Sequence, residues 1–119
     1  MILGESVNNL KIYLFSNSVD MRKQVNGLLS IIESTFDLDP YEKAIFVFCN
    51  KSRDKIKAIR WDENGFVLYY KRLEKDRFKM PDLKECTDGK INISEQDLRR
   101  LLYGLEMECF LKKRRYIQM

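Results

Sequence analysis

An α+β fold, an antiparallel β meander packed by two amphipathic helices, is what this sequence predicts, and three observations carry it. A helix-spaced apolar stripe begins near residue 20, strand-like runs with turn signals fill residues 44–93, and a second helical stripe follows Ser94. The predicted order is β-α-β-β-β-β-β-α. It occupies one domain over residues 1–110, followed by a basic tail at 111–119 that is expected to be mobile.

Taken in order, KIYLF (11–15) reads as a short strand, and Ser18 or Asp20 is placed to cap the helix that follows. Met21, Val25, Leu28, Leu29, Ile32 and Phe36 recur at helical spacing, so one helix face is expected to meet the core. Arg22 and Lys23 are expected just inside that helix, on its other side. Gly27 within it points to close packing. AIFVFC (44–49) is a continuous apolar run of strand length, as a central strand requires. Lys55–Trp61 and Phe66–Lys71 follow as strands joined by Asp62-Glu63-Asn64-Gly65, which suits a type I turn closed by glycine or an Asn-Gly type I′ turn. A strand at Arg77–Met80 stops at Pro81, and Asp88-Gly89 turns the chain into a strand at Lys90–Ile93. Ser94 caps the last helix, with Asp97 as a carboxylate variant of the capping box. Leu98, Leu101, Leu102 and Leu105 form its buried stripe.

The 119 residues are 45% hydrophobic and 34% charged, an ordinary globular balance that excludes a disordered chain. No apolar run reaches the ~20 residues of a membrane helix, and the first residues lack the pattern of a secretory signal, so a cytoplasmic protein is expected. Cys49, Cys86 and Cys109 are odd in number and far apart, and histidine is absent. Zinc-finger spacings and histidine-based triads are thereby excluded, and three free thiols are the simplest reading. The carboxylates Asp20, Asp54, Asp62, Glu74 and Asp76 are scattered through turns and caps, so neither metal-dependent catalysis nor a cofactor is expected.

The net charge of +4 is unevenly distributed. Residues 51–79 hold ten basic against five acidic side chains, and the remainder of the chain is close to neutral. Within that segment Lys51, Arg53, Lys55, Lys57, Arg60, Lys71, Arg72 and Arg77 stand close to Trp61 and Tyr69, and Arg22 and Lys23, expected just inside the first helix, join them as cations suited to an anionic target. Cations beside aromatic rings suit phosphate neutralisation with base stacking, so these twelve residues are the candidate surface for DNA or for a protein partner. In simple register, Lys55, Lys57, Tyr69 and Lys71 would share the solvated face of one hairpin. A merely solvated strand face, guarded by lysine, is the competing reading.

Three blocks, VDMRKQVNGL (19–28), IFVFCNKSRDKIKAIRWDENGF (45–66) and KRLEKDRFKMP (71–81), resemble the accessory protein TnpB of insertion-sequence-66-type bacterial transposable elements. LRRLLYGLE (98–106) is similar to the helix that closes that family's pattern. The chain departs from the pattern at Gln24, where glycine is usual, at Cys49–Ser52, where the family loop is richer in arginine and glycine, and at Arg60. The resemblance implies a transposition component that works beside a separate, catalytic transposase, with the proteins of the same element as partners; DNA as a partner is expected from the basic surface and not from the resemblance.

Overall fold

The computed structural model describes residues 9–81 and 89–109. Five strands form one mixed sheet: β1 (Lys11–Phe15), β2 (Ala44–Cys49), β3 (Lys55–Asp62), β4 (Gly65–Arg72) and β5 (Lys90–Asn92), arranged β4-β3-β2-β1-β5. Between β1 and β2 run α1 (Val25–Ser30) and a π-helical turn (Ile31–Thr35), and α2 (Glu95–Leu102) follows β5. The class is α+β. The predicted tail at 111–119 lies outside the described residues.

The sheet differs from a pure antiparallel meander. β1 and β2 are parallel, from Lys11↔Ala44 to Leu14↔Val47, and only β2-β3-β4 is a meander. The helical crossover explains this, because it returns the chain across the sheet so that β2 starts at the same end as β1. Each side of the sheet is covered. Ile12, Leu14, Ile45, Val47, Ile56 and Ala58 pack with Leu98, Leu101 and Leu102 of α2, while Tyr13, Phe15, Phe46, Phe48 and Ile59 pack with Leu28 and Ile32. With both faces buried, β2 has no position for a polar side chain, which is why it reads as an unbroken apolar run.

Arg77–Met80 is not a strand. Leu73 N–H donates to the Asp54 carbonyl at 2.8 Å and Phe78 N–H to that of Arg53 at 2.7 Å. Between these two anchors Phe78 inserts into the α2-side core, where it is fully buried. Burying that one ring is worth roughly 1.5–3 kcal/mol, more than a short edge ladder would add.

The first helix starts later than its sequence suggests. Asp20–Gln24 form a turn in which Asp20 accepts the Arg22 N–H on its carboxylate and the Lys23 N–H on its carbonyl. The Met21 and Lys23 carbonyls point at the ammonium of Lys57 instead of continuing a helical ladder, and the first helical bond is Leu28 N–H to Gln24. Arg22 and Lys23 therefore precede α1 and do not face its dipole. The stripe itself forms as predicted, with Met21, Val25, Leu29 and Phe36 packed around Leu28 and Ile32.

At α2, Ser94 Oγ accepts the Asp97 N–H at 3.0 Å, the predicted cap. The Asp97 carboxylate turns away from that cap to accept the Glu108 N–H at 2.8 Å. The helix stops at Gly104, whose φ of +78° permits a Schellman closure: Leu105 N–H reaches Arg100 and Gly104 N–H reaches Leu101. This reversal turns Leu105 outward and gives the buried place to Met107.

Candidate nucleic-acid interface

The register of the basic hairpin decides which cations can act together. Asp62 pairs with Gly65 across a connection of Glu63 and Asn64, with Glu63 at φ +50° and the Asn64 N–H donating to Asp62. Neither predicted turn type forms. The resulting pairs are Lys55↔Arg72, Ile56↔Lys71, Lys57↔Tyr70 and Ala58↔Tyr69. Lys55 and Lys57 thus lie on the α1 side, and Tyr69 and Lys71 on the α2 side, so the expected four-residue face does not exist.

Two of the lysines are structural. Lys57 is 7% exposed, donates to Met21 O at 2.8 Å and Lys23 O at 2.7 Å, and lies 5.5 Å from the centroid of the Tyr70 ring. Lys71 donates to Leu102 O at 2.7 Å, which satisfies an orphan carbonyl at the C-terminus of α2, and sits over the Tyr103 ring. Tyr69 packs against the same core. Arg60 is buried, with its guanidinium 3.5 Å from Asp62.

The remaining cations gather at one end of the sheet, where β1, β2 and β4 finish and β3 begins. Some hold acidic neighbours there: Arg22–Asp20 at 2.7 Å, Arg72–Glu74 at 2.9 Å and Lys55–Asp54 at 3.3 Å. Hydrogen bonds from Arg22 keep the Asp20 carboxyl down at about 2. Lys23, Lys51, Arg53 and Arg77 are exposed and form no ion pair among the described residues. The loop that carries two of them is locked. Asn50 Oδ1 accepts the N–H groups of Asp54 and Lys55, and its amide donates to the Asp54 carboxylate at 2.7 Å. That amide bond, with Lys55 behind it, lowers the Asp54 carboxyl below its ordinary range. The Phe78–Arg53 bond brings Arg77 against the same loop.

Trp61 lies at the far end of β3, about 20 Å along the strand from Lys55. It meets Tyr41 and Phe66 edge-on, each with centroids 5.0 Å from its own. Tyr41, Trp61 and Arg60 border a cleft of about 480 Å³. Trp61 is therefore separated from the loop cations and cannot stack bases that they hold.

Sequence reasoning missed Asn17, Ser18 and Asn50 as site residues; they line one recess with Lys51 and Arg53. The available signal was the strand-helix-strand order itself, because a parallel pair brings the loops after β1 and β2 to one end.

Among the described residues no helix is long and apolar enough to cross a membrane. The IS66 Orf2-like protein family model matches residues 10–111. Two uncharacterized proteins of Sinorhizobium fredii (strain NBRC 101917 / NGR234) are similar to this chain. The first, y4jC, is 36% identical over 105 residues, covering 88% of this chain and 86% of its own. The second, y4hO, is 31% identical over 101 residues, covering 85% of each. No solved structure gives a significant match. With its blocks, its spacing and nearly its whole length matched, the chain belongs to the IS66 Orf2-like family of insertion-sequence accessory proteins.

Proposed function

We propose that this protein serves transposition without catalysing it, by holding the DNA backbone on the basic end of its sheet. The observation that carries the reading is the convergence of Lys23, Lys51, Arg53 and Arg77, exposed and without ion-pair partners among the described residues, on one edge of a locked loop system. Such an edge contacts phosphates and offers no recognition helix for the major groove, so binding is salt-sensitive and weakly selective for sequence. The carboxylates are engaged separately: Asp20 with Arg22, Asp54 with Asn50, Asp62 with Arg60 and Glu74 with Arg72. In this reading catalysis belongs to a separate transposase.

A specific observation also favours a protein partner. Tyr41 is 57% exposed beside Trp61 and Arg60, a composition enriched at protein interfaces, and it lies at the end of the sheet away from the basic loop. In this reading one end holds DNA and the other meets the transposase. Gel shifts with duplex DNA at low and moderate salt, with and without transposase, test both. A Lys23→Gln/Arg77→Gln variant is expected to weaken DNA binding, and Tyr41→Ala to weaken only the ternary complex. Tight binding by the charge variant at every salt concentration would refute the DNA reading.

A further inference from the structure

A recess opens between the loop after β1 and the loop after β2, at the carboxyl ends of the two parallel strands. Its volume is about 250 Å³, and Asn17, Ser18, Cys49, Lys51, Arg53 and Met80 are among the residues that border it. That is room for on the order of eight waters at ~30 Å³ each. It falls below the ~300 Å³ at which drug-sized pockets begin. No carboxylate borders it. The nearest one in sequence, Asp54, is held by Asn50 and Lys55. Two cations thus share a small polar cleft whose other side chains are neutral. Cys49 adds no negative charge, because burial pushes its thiol up to about 11. Asn17 and Ser18 offer side-chain donors on the facing loop.

The cleft is also preformed. Val19 N–H donates to the Cys49 carbonyl at 3.0 Å, tying the two loops together across the recess. Arg53 is fixed at φ +59° by its own N–H to Asn50 O and by the Phe78 N–H on its carbonyl. Open sheets bind ligands outside the carboxyl ends of their parallel strands, where adjacent loops separate. A phosphate inside a continuous duplex is flanked on both sides by sugar, which limits how deeply it enters so small a recess. A terminal phosphate is flanked on one side only.

We infer that the recess bordered by Asn17, Ser18, Lys51 and Arg53 is a phosphate-monoester site that receives the terminal phosphate of a DNA end. It rests on the DNA reading above and deepens it, since Lys23 and Arg77 would hold the flanking backbone while the recess reads the terminus.

The decisive variant is Lys51→Gln/Arg53→Gly, which removes both charges while glycine keeps the left-handed backbone at position 53. One arm titrates inorganic phosphate into the full chain and follows the amide resonances of Asn17, Lys51 and Arg53. Saturable shifts are expected, and their loss in the variant. The other arm compares one duplex with phosphorylated and with hydroxyl ends by fluorescence anisotropy. At least about fivefold tighter binding of the phosphorylated end is expected, with no preference left in the variant. Absence of phosphate-induced shifts overturns the site whether or not DNA binds. Shifts without an end preference overturn its assignment to DNA ends and identify a free-phosphate site. Ordinary duplex binding with neither effect leaves the DNA reading standing and removes only this inference.

Discussion

Lys57 donates its ammonium to two main-chain carbonyls inside the protein, whereas Lys51, six residues earlier, holds its own in solvent. Lys57→Met should therefore cost about 2 kcal/mol or more, because two carbonyls lose a charged donor. Lys51→Gln should stay within about 0.5 kcal/mol, as exposed substitutions do. Urea titrations of the two variants check this. If Lys57→Met unfolds at the wild-type midpoint, its structural role is wrong. Both are lysines beside a hairpin in the sequence, and nothing local separates them. The difference arises from the turn at residues 20–24, which presents its carbonyls to β3 from more than thirty positions away. Cys49 supplies a pH test. Its folded thiol titrates near 11 against 9.0 for the free group. A raised thiol contributes stability that is complete below pH 9 and disappears as pH rises through 11. Across that window the protein should lose on the order of 2 kcal/mol more than a Cys49→Ala variant, measured by denaturation at stepped pH.

The closing helix illustrates how two residues of one motif act through different physics. Leu101 is fully buried between α2 and the sheet, so Leu101→Ala leaves a cavity and should cost roughly 2–5 kcal/mol. A Cβ at Gly104 would meet nothing within 4 Å, so Gly104→Ala should cost only the ~1 kcal/mol of a left-handed backbone. Thermal melts of both variants check the ranking, and an equal loss would contradict it. Elements of this kind were legible: β1, β2 and α2 follow from apolar period and caps alone. Two were not. Apolar residues at Phe78 and Met80 alternate as in a strand, yet the same alternation serves a plug held by two hydrogen bonds. The start of α1 was hidden because a distant ammonium, and no local residue, takes the carbonyls that would have begun it.

At the scale of the molecule, the exposed loop cations and the Tyr41–Trp61 pair stand at opposite ends of the sheet, while the exposed rings of Tyr70 and Tyr103 lie beside Lys57 and Lys71. The excess of basic residues at 51–79 was legible from counting. Its partition was not, because one register decides whether Lys55 and Lys71 share a face or oppose each other through the sheet. If four exposed cations carry the DNA contact, the logarithm of affinity should fall with that of salt at a slope of about −3 to −4 on duplex. Anisotropy titrations between low and moderate salt measure it. A slope near zero would exclude the phosphate contacts proposed.

The parallel pairing of β1 with β2 also dictates an order of assembly. The hairpins of β2, β3 and β4 close between neighbours in the chain, so they can form while later residues are still being made. β1 cannot finish so early. On one side it awaits the crossover, and on the other it awaits β5, where Ser16 meets Gly89 from 73 positions away. The apolar side chains Ile12 and Leu14 then wait for α2, which comes later still. Among the described strands β1 leads in the chain yet is among the last to be sheltered. A fold completed by such distant contacts forms more slowly than one built from local helical contacts. In the interval, KIYLF and AIFVFC lie open to any other unpaired strand.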